Sequence, residues 1–355
     1  MHRRFRIAKP RILVTAAAGK TGAPTALGLL EKGYPVRALV RQVDGRAEQL
    51  RRAGAEIVVG SLEDFRDLKR VMQDVDRAYF CPPLEPGTLR RAALFATAAR
   101  EARLEAIVQL SQWLADPIHP AAHAREKWLT SQMLAWLPGI ATITVQPGWF
   151  ADNYFAVIGQ AAQFGLFALP LGEGLNAPPS NDDIARVVVA CLADPQPHIG
   201  KAYRPTGPRL LAPWDIAEAM GRALSRRVRY RNVPLPMFLK AAASLGVSDF
   251  VVSQLYWFLQ DYQLNAFGVG APTDVVEKLT GSPPEDFDKI ARRYAGASPL
   301  AARGFIGAMR EAAGLAAALI SRAPDIARIE TQFALPRIAN FALAANSPLW
   351  RTTHS

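Results

Sequence analysis

A chain of 355 residues, half of them hydrophobic and about a fifth charged, can bury a sizeable core without disulfides or a structural metal, which excludes the small stapled scaffolds and the disordered classes. The net charge of +11 comes mostly from scattered arginines, with short clusters only at the start and at Arg226, Arg227, Arg229 and Arg231. That reads as a solvated surface with a positive bias, and no nucleic-acid partner is expected, because no reading motif accompanies the charge. Cys81 and Cys191 match no metal or redox spacing, and both sit in apolar runs. They are expected to be buried and reduced in a cytoplasmic protein, and no metal site is expected.

The basic start, Met1 to Arg11, precedes a short apolar run and mimics a secretion signal. Thr15 interrupts that run and a glycine turn follows, so it reads instead as a first buried strand, Ile12 to Thr15. Helical spacing then covers Thr21 to Lys32, with Ala26, Leu29 and Leu30 on one face and Gly33 placed to end the helix in a left-handed conformation. Strands are predicted at Val36–Val40, Glu56–Val59, Arg77–Cys81, Ala106–Leu110 and Ala141–Val145. Helices are predicted at Gly45–Ala53, Asp64–Met72, Thr88–Ala102 and Ala124–Leu134. Short, nearly continuous apolar strands alternating with helices imply a doubly wound parallel sheet, an α/β Rossmann architecture with both faces covered. Past Gly207 the pattern turns helical, with Pro213–Ala223, a short strand Val228–Val233, and the apolar segments Met237–Leu245 and Val251–Tyr262. In the last of these Val251, Leu255, Phe258 and Leu259 share a face. Leu300–Ile320 reads as one alanine-rich helix. No apolar stretch approaches the ~20 residues that cross a bilayer.

On such sheets ligands bind beyond the carboxyl ends of the strands. The first such turn is Thr15-Ala16-Ala17-Ala18-Gly19-Lys20-Thr21-Gly22. Small residues let backbone approach a pyrophosphate, and helix amides then point at it. Gly19 suits the tight turn, and Gly22 suits close packing of helix on strand. The first glycine of the usual fingerprint is replaced, by Ala16 in a GxxGxxG reading or by Ala17 in a GxGxxG reading. Arg41 ends the second strand where an acidic residue would hold the ribose of NAD. Arginine there suits the 2′-phosphate of NADP, so NADP(H) is the expected cofactor.

Several ordered landmarks resemble the NmrA-like group of atypical short-chain dehydrogenases/reductases. They are the first turn with Arg41, then Gly60-Ser61-Leu62-Glu63-Asp64, similar to GDLxD with serine for aspartate, then Pro82-Pro83, then Ser111. Gln146-Pro147-Gly148-Trp149-Phe150-Ala151-Asp152-Asn153 is similar to RPGxFxxN. Asp183-Ile184-Ala185, Tyr203 to Gly207 and Leu279-Thr280-Gly281-Ser282-Pro283-Pro284 complete the series. The resemblance covers roughly residues 11 to 295. It implies an NADP-binding domain over 11–155 plus 181–207 and a smaller, mainly helical substrate domain over 156–180 and 208–295. The basic tail 1–10 and a helical extension 296–355 flank these. It implies cofactor contacts from Thr15, Ala16, Ala18, Gly19, Lys20, Thr21, Gly22, Arg41, Ser61, Leu62, Pro82, Pro83, Ser111, Lys127, Pro147 and Phe150. Some members of the group reduce quinones, double bonds or dyes with NADPH, and others bind the dinucleotide as sensors without turnover.

Short-chain dehydrogenases place Tyr-x-x-x-Lys on the helix after strand five, the tyrosine as proton donor and the lysine on the ribose. Here the stretch is His123-Ala124-Arg125-Glu126-Lys127, with the lysine present and the tyrosine absent. The expected catalytic groups are therefore Lys127 and His123, one helical turn apart on one face, with His123 alternatively only a cap on the helix start. Trp113, Trp149, Asn153 and Trp257 are expected to line the substrate cleft. The expected activity is NADPH-dependent reduction of a small apolar carbonyl, quinone or activated alkene; the alternative is a non-catalytic NADP(H) sensor. The extension is expected to pack against the body or a second subunit, in a monomer or homodimer, or to contact a membrane surface.

Overall fold

A computed structural model describes residues 9–336 and 338–354. The expected basic tail, 1–10, lies for its first eight residues outside the described residues.

The first half alternates as read: β1 (Ile12–Val14), α1 (Gly22–Glu31), β2 (Val36–Val40), α2 (Gly45–Arg52), β3 (Glu56–Val59), α3 (Phe65–Val71), β4 (Arg77–Phe80), α4 (Thr88–Ala102), β5 (Ala106–Leu110), α5 (Ala122–Ala135) and β6 (Ala141–Val145). A 3₁₀-helical segment, Ala151–Val157, leads into α6 (Ile158–Phe164), followed by β7 (Leu166–Leu169), α7 (Asn181–Ala193) and β8 (Ala202–Tyr203). The second half holds α8 (Pro213–Ala223), β9 (Arg229–Asn232), α9 (Leu235–Ser244), α10 (Asp249–Gln263), α11 (Val275–Thr280) and α12 (Phe287–Ala297). The extension holds α13 (Phe305–Ile320), α14 (Ile326–Gln332) and α15 (Pro348–His354). The single helix expected over Leu300–Ile320 is thus divided. A short turn, Pro299–Ala301, is separated from α13 because Gly304 adopts an extended conformation before the helix.

Seven parallel strands lie in the order β3-β2-β1-β4-β5-β6-β8. The order reverses between β1 and β4, so the crevice outside their carboxyl ends is where this fold takes ligands. Side chains alternate between the two faces. Ile12, Val14, Ala38, Tyr79 and Val108 meet α1, α2 and α7 on one side. Leu13, Leu39, Ala78, Phe80 and Ile107 meet α3, α4 and α5 on the other. Burial on both faces is why these strands read as continuous apolar runs, each large aliphatic contributing about 1.5–3 kcal/mol. Lys32 closes α1, and Gly33 follows at φ 74°, as its position predicted.

The second core belongs to the helical lobe. It gathers Tyr154, Phe167, Met220, Phe258, Tyr262 and Phe287, with the parallel pair β7–β9 at its edge. Lobe and sheet are joined through α10. His119 Nε2 donates to Asp261 at 2.7 Å, its tautomer set by the Ala121 amide donating to Nδ1, and the His123 amide donates to Gln254.

The extension packs on the body. Trp350 Nε1 donates to the Trp113 carbonyl at 2.8 Å, Ser347 donates to Asp116, and the Ala345 amide donates to Asp261. Ala344, Ser347, Trp350 and His354 are buried. The outer face of α13 nevertheless leaves Phe305, Ile306 and Ile320 exposed. Among the described residues no helix is long and apolar enough to cross a membrane.

Candidate functional site

The turn after β1 owes its shape to backbone. Ala16 takes the left-handed conformation at φ 48°, and its carbonyl accepts from the Gly19 amide at 2.8 Å. That carbonyl lies where a side chain at Gly22 would have to be, so only glycine lets α1 start so close to the turn. Ala16, rather than Ala17, therefore fills the slot of the replaced glycine. An L-residue there carries about 1–2 kcal/mol of strain. Among the described residues the backbone amides of Lys20 and Thr21 have no protein acceptor, which suits a pyrophosphate at a helix start.

From this turn one continuous cleft of about 1770 Å³ runs across the sheet rim and into the helical lobe. Ala16, Ala18, Gly19, Lys20, Thr21, Arg41, Ser61, Leu62, Pro82, Pro83, Ser111, Lys127, Pro147 and Phe150 all line it, as do His123, Trp113, Trp149 and Asn153. Three expected residues do not. Thr15 is buried beneath the turn, where its hydroxyl donates to the Tyr79 carbonyl and accepts from the Cys81 amide, tying β1 to β4. Gly22 shapes the turn from behind. Trp257 faces away from the cleft, its indole donating to Glu330 and its ring against Tyr256 and Phe341. It sits one position from the α10 face that does line the cleft, and the extension covers it.

Arg41 is largely exposed and pairs with Glu85 at 3.3 Å. Arg46, in the first turn of α2, also lines the cleft and pairs with Asp44. Sequence reading passed over Arg46, although its place just after Arg41 was a usable signal. Ser61 holds its own loop: its amide donates to Asp67 and its hydroxyl accepts from the Glu63 amide. Asp152, also passed over, is buried and ion-paired with Lys20 across the cleft.

Lys127 is buried, and its Nζ donates to the Leu110 carbonyl at 2.7 Å. Burial lowers its pKa to about 8. His123 is buried beside Thr88, Nδ1 to Oγ1 at 3.3 Å. Burial first, then Lys127 and Arg91, hold its pKa well below the ordinary value, so the ring is neutral near pH 7. The alternative of a capping role fails, since α5 begins at Ala122 after Ala121 and His123 lies within it. Among the described residues, four buried polar atoms in this part of the cleft have no hydrogen-bond partner: Ser111 Oγ, Gln112 Nε2, Trp149 Nε1 and Asp152 Oδ1. Buried donors and acceptors that the protein leaves unpaired in a cleft are free to bond a ligand or water.

The sequence model of the NmrA-like family matches residues 8–258. The chain belongs to the NmrA-like family. Among curated relatives it is 31% identical over 291 residues to the NAD(P)H azoreductase of Xenophilus azovorans, covering 81% of this chain and 98% of that protein. It is 26% identical to quinone oxidoreductase 2 of Escherichia coli, over 77% of this chain and 94% of that protein. Among solved structures, the Escherichia coli NADPH-dependent quinone oxidoreductase in complex with NADPH superposes with a TM-score of 0.69 at 24% identity, covering 79% of this chain and 99% of that one. The transcriptional regulator NmrA in complex with NADP superposes at 0.65 with 19% identity, covering 82% of this chain and 99% of that one. As an NmrA-like protein the chain is long. Its relatives are matched almost whole, while about a fifth of this chain lies outside each match.

Proposed function

We propose that the protein is an NADPH-dependent reductase of a small apolar carbonyl, quinone or activated alkene. The observation that carries this is the single cleft joining the glycine-poor pyrophosphate turn to a set of orphaned polar atoms and then to an apolar lobe. The azoreductase and quinone oxidoreductase names of its relatives favour the same chemistry. The amides of the Lys20–Thr21 turn and the Lys20 ammonium hold a pyrophosphate. Arg41, with Arg46 beside it, takes the 2′-phosphate and so selects NADP over NAD. Ser61, Leu62, Pro82 and Pro83 flank the adenosine side, and Ser111, Lys127, Pro147 and Phe150 the nicotinamide side. Residues 156–180 and 208–295 serve as the substrate domain.

When bound, the reduced nicotinamide supplies a hydride. The chain's part is to orient the acceptor, exclude water and provide a proton. Trp113 and Trp149 wall the acceptor, with Trp149 Nε1 and Gln112 Nε2 as free donors for a carbonyl or quinone oxygen. Lys127 is the better proton source, because an ammonium with pKa about 8 is mostly charged near neutrality yet gives up its proton readily. His123, held neutral, shapes the wall beside it.

One observation favours the sensor reading: the position of the usual tyrosine holds a buried neutral histidine. Loss of NADPH absorbance against a panel of small quinones and enones decides between them. Turnover supports the reductase, whereas tight NADPH binding with no turnover of any panel member supports the sensor.

A further inference from the structure

The cleft, about 1770 Å³ in all, extends past the segments that would meet a dinucleotide and a reducible ring. It continues beyond Trp149 into a chamber between α6, α9, α10 and α13. From α10 come Val251, Leu255 and Phe258; from α13 come Leu315, Ala318 and Leu319. Val251, Leu255 and Phe258 recur every three or four residues, and Ala318 and Leu319 lie three and four residues after Leu315, so each set is one helical face turned to the same space. Phe238 and Ala242 of α9 close a third side. The α13 wall belongs to the extension, past the end of the family match at residue 258.

We propose that this chamber is a subsite for a hydrocarbon tail, alkyl or isoprenoid, so that the substrate is an amphiphile: a reducible ring carrying a long apolar chain. The tail assignment rests on the chamber; only the ring's reduction rests on the reductase reading above. The polarity of the cleft decides the occupant. The orphaned atoms of Ser111, Gln112, Trp149 and Asp152 cluster on the segments after β5 and β6. In the chamber the polar side chains gather at the α6 end: Gln160 Oε1, unpaired among the described residues, the Glu311 carboxylate, and the Tyr294 and Ser298 hydroxyls, which already bond Asn181 and the Leu300 amide. A peptide or sugar would leave its own polar groups unpaired along the α9, α10 and α13 faces, and a hydrocarbon would not. The far rim is apolar too. Leu245 and Leu319 border the opening and are 73% and 61% exposed, so a chain longer than the chamber leaves over apolar surface.

The test is a set of benzoquinones sharing one ring and differing in tail: none, one isoprenyl unit, and decyl. Dissociation constants are read by quenching of tryptophan fluorescence on the full chain with NADP⁺ present, and turnover is read separately with NADPH. The Kd is expected to fall by up to about fourfold for each methylene buried, until the chamber is full. In Ala318→Phe, which narrows the chamber, the decyl compound loses at least about tenfold of that gain. Equal affinity for the tail-free and decyl quinones overturns the proposal, and this comparison needs no variant to fold. A decyl gain that survives intact in folded Ala318→Phe overturns it as well, because the tail then binds elsewhere. Tail-dependent binding without turnover of any member supports the subsite and counts instead against a quinone as the reducible ring.

Discussion

The two ends of the cleft are built by different means. At the sheet rim the site is backbone: the Ala16 carbonyl, the Gly19 amide and the missing side chain of Gly22 lie within seven residues of one another. At the lobe end it is side-chain surface, drawn from α6, α9, α10 and α13 across more than 150 positions of chain. A rim made of close backbone contacts fails when one methyl is added. A wall made of aliphatic faces accepts exchange among residues of similar volume. The rim end is therefore tightly specified by its backbone, while the lobe end tolerates exchange of similar side chains.

The largest effect sharpens the role of the extension in joining these regions. Trp350→Ala removes a buried indole and its hydrogen bond to the Trp113 carbonyl, and is expected to cost about 3–5 kcal/mol in urea unfolding. A change within about 0.5 kcal/mol would show that the tail is an appendage rather than part of the body. Next comes chemistry between the two ends. Lys127→Met is expected to lower kcat about a hundredfold or more. In the parent, the ammonium dominates below its pKa of about 8 and is lost as pH rises through it, so kcat should fall above that pH. A kcat that climbs through the same range would remove Lys127 as proton source.

Smaller effects test the contrast itself. Gly22→Ala drives a methyl into the Ala16 carbonyl and is expected to cost about 1–3 kcal/mol, whereas Leu255→Met in the far wall should cost under about 1.5 kcal/mol. Calorimetry on Gly22→Ala should also show weaker NADPH binding; unaltered affinity and melting would break the comparison. Arg41→Ala should reduce the preference for NADPH over NADH about tenfold, the worth of one exposed charged hydrogen bond. An unchanged ratio would transfer that role to Arg46. Smallest is Ala16→Gly, which relieves a left-handed alanine and should raise stability by about 1 kcal/mol in thermal melts.

What could be read from sequence followed the range of the interactions. Four strands, Val36–Val40, Glu56–Val59, Ala106–Leu110 and Ala141–Val145, and the helices Thr88–Ala102 and Pro213–Ala223 fall where periodicity put them, because burial imposes apolar runs and local signals end the helices. The shared face of Val251, Leu255 and Phe258 was legible as a pattern, but not as the wall of a cleft. Trp257, one residue from that face, looked equally suited to a flat substrate; only the docking of Glu330 and Phe341 shows that it points elsewhere. Thr15 looked like a ligand contact by its place in the fingerprint, yet the demand of the β4 backbone for a partner takes its hydroxyl.

By itself, the order of residues determined the parallel sheet, its crossover helices and the turn at which backbone is left open, since each depends on spacing within some fifteen residues. Tertiary structure alone decided how far the cleft extends, that α13 forms part of its wall, and that His123 is neutral while Lys127 is charged but poised. Those outcomes depend on which distant surfaces exclude water from a given group. Desolvation is a property of the assembled neighbourhood and leaves no mark on the local sequence.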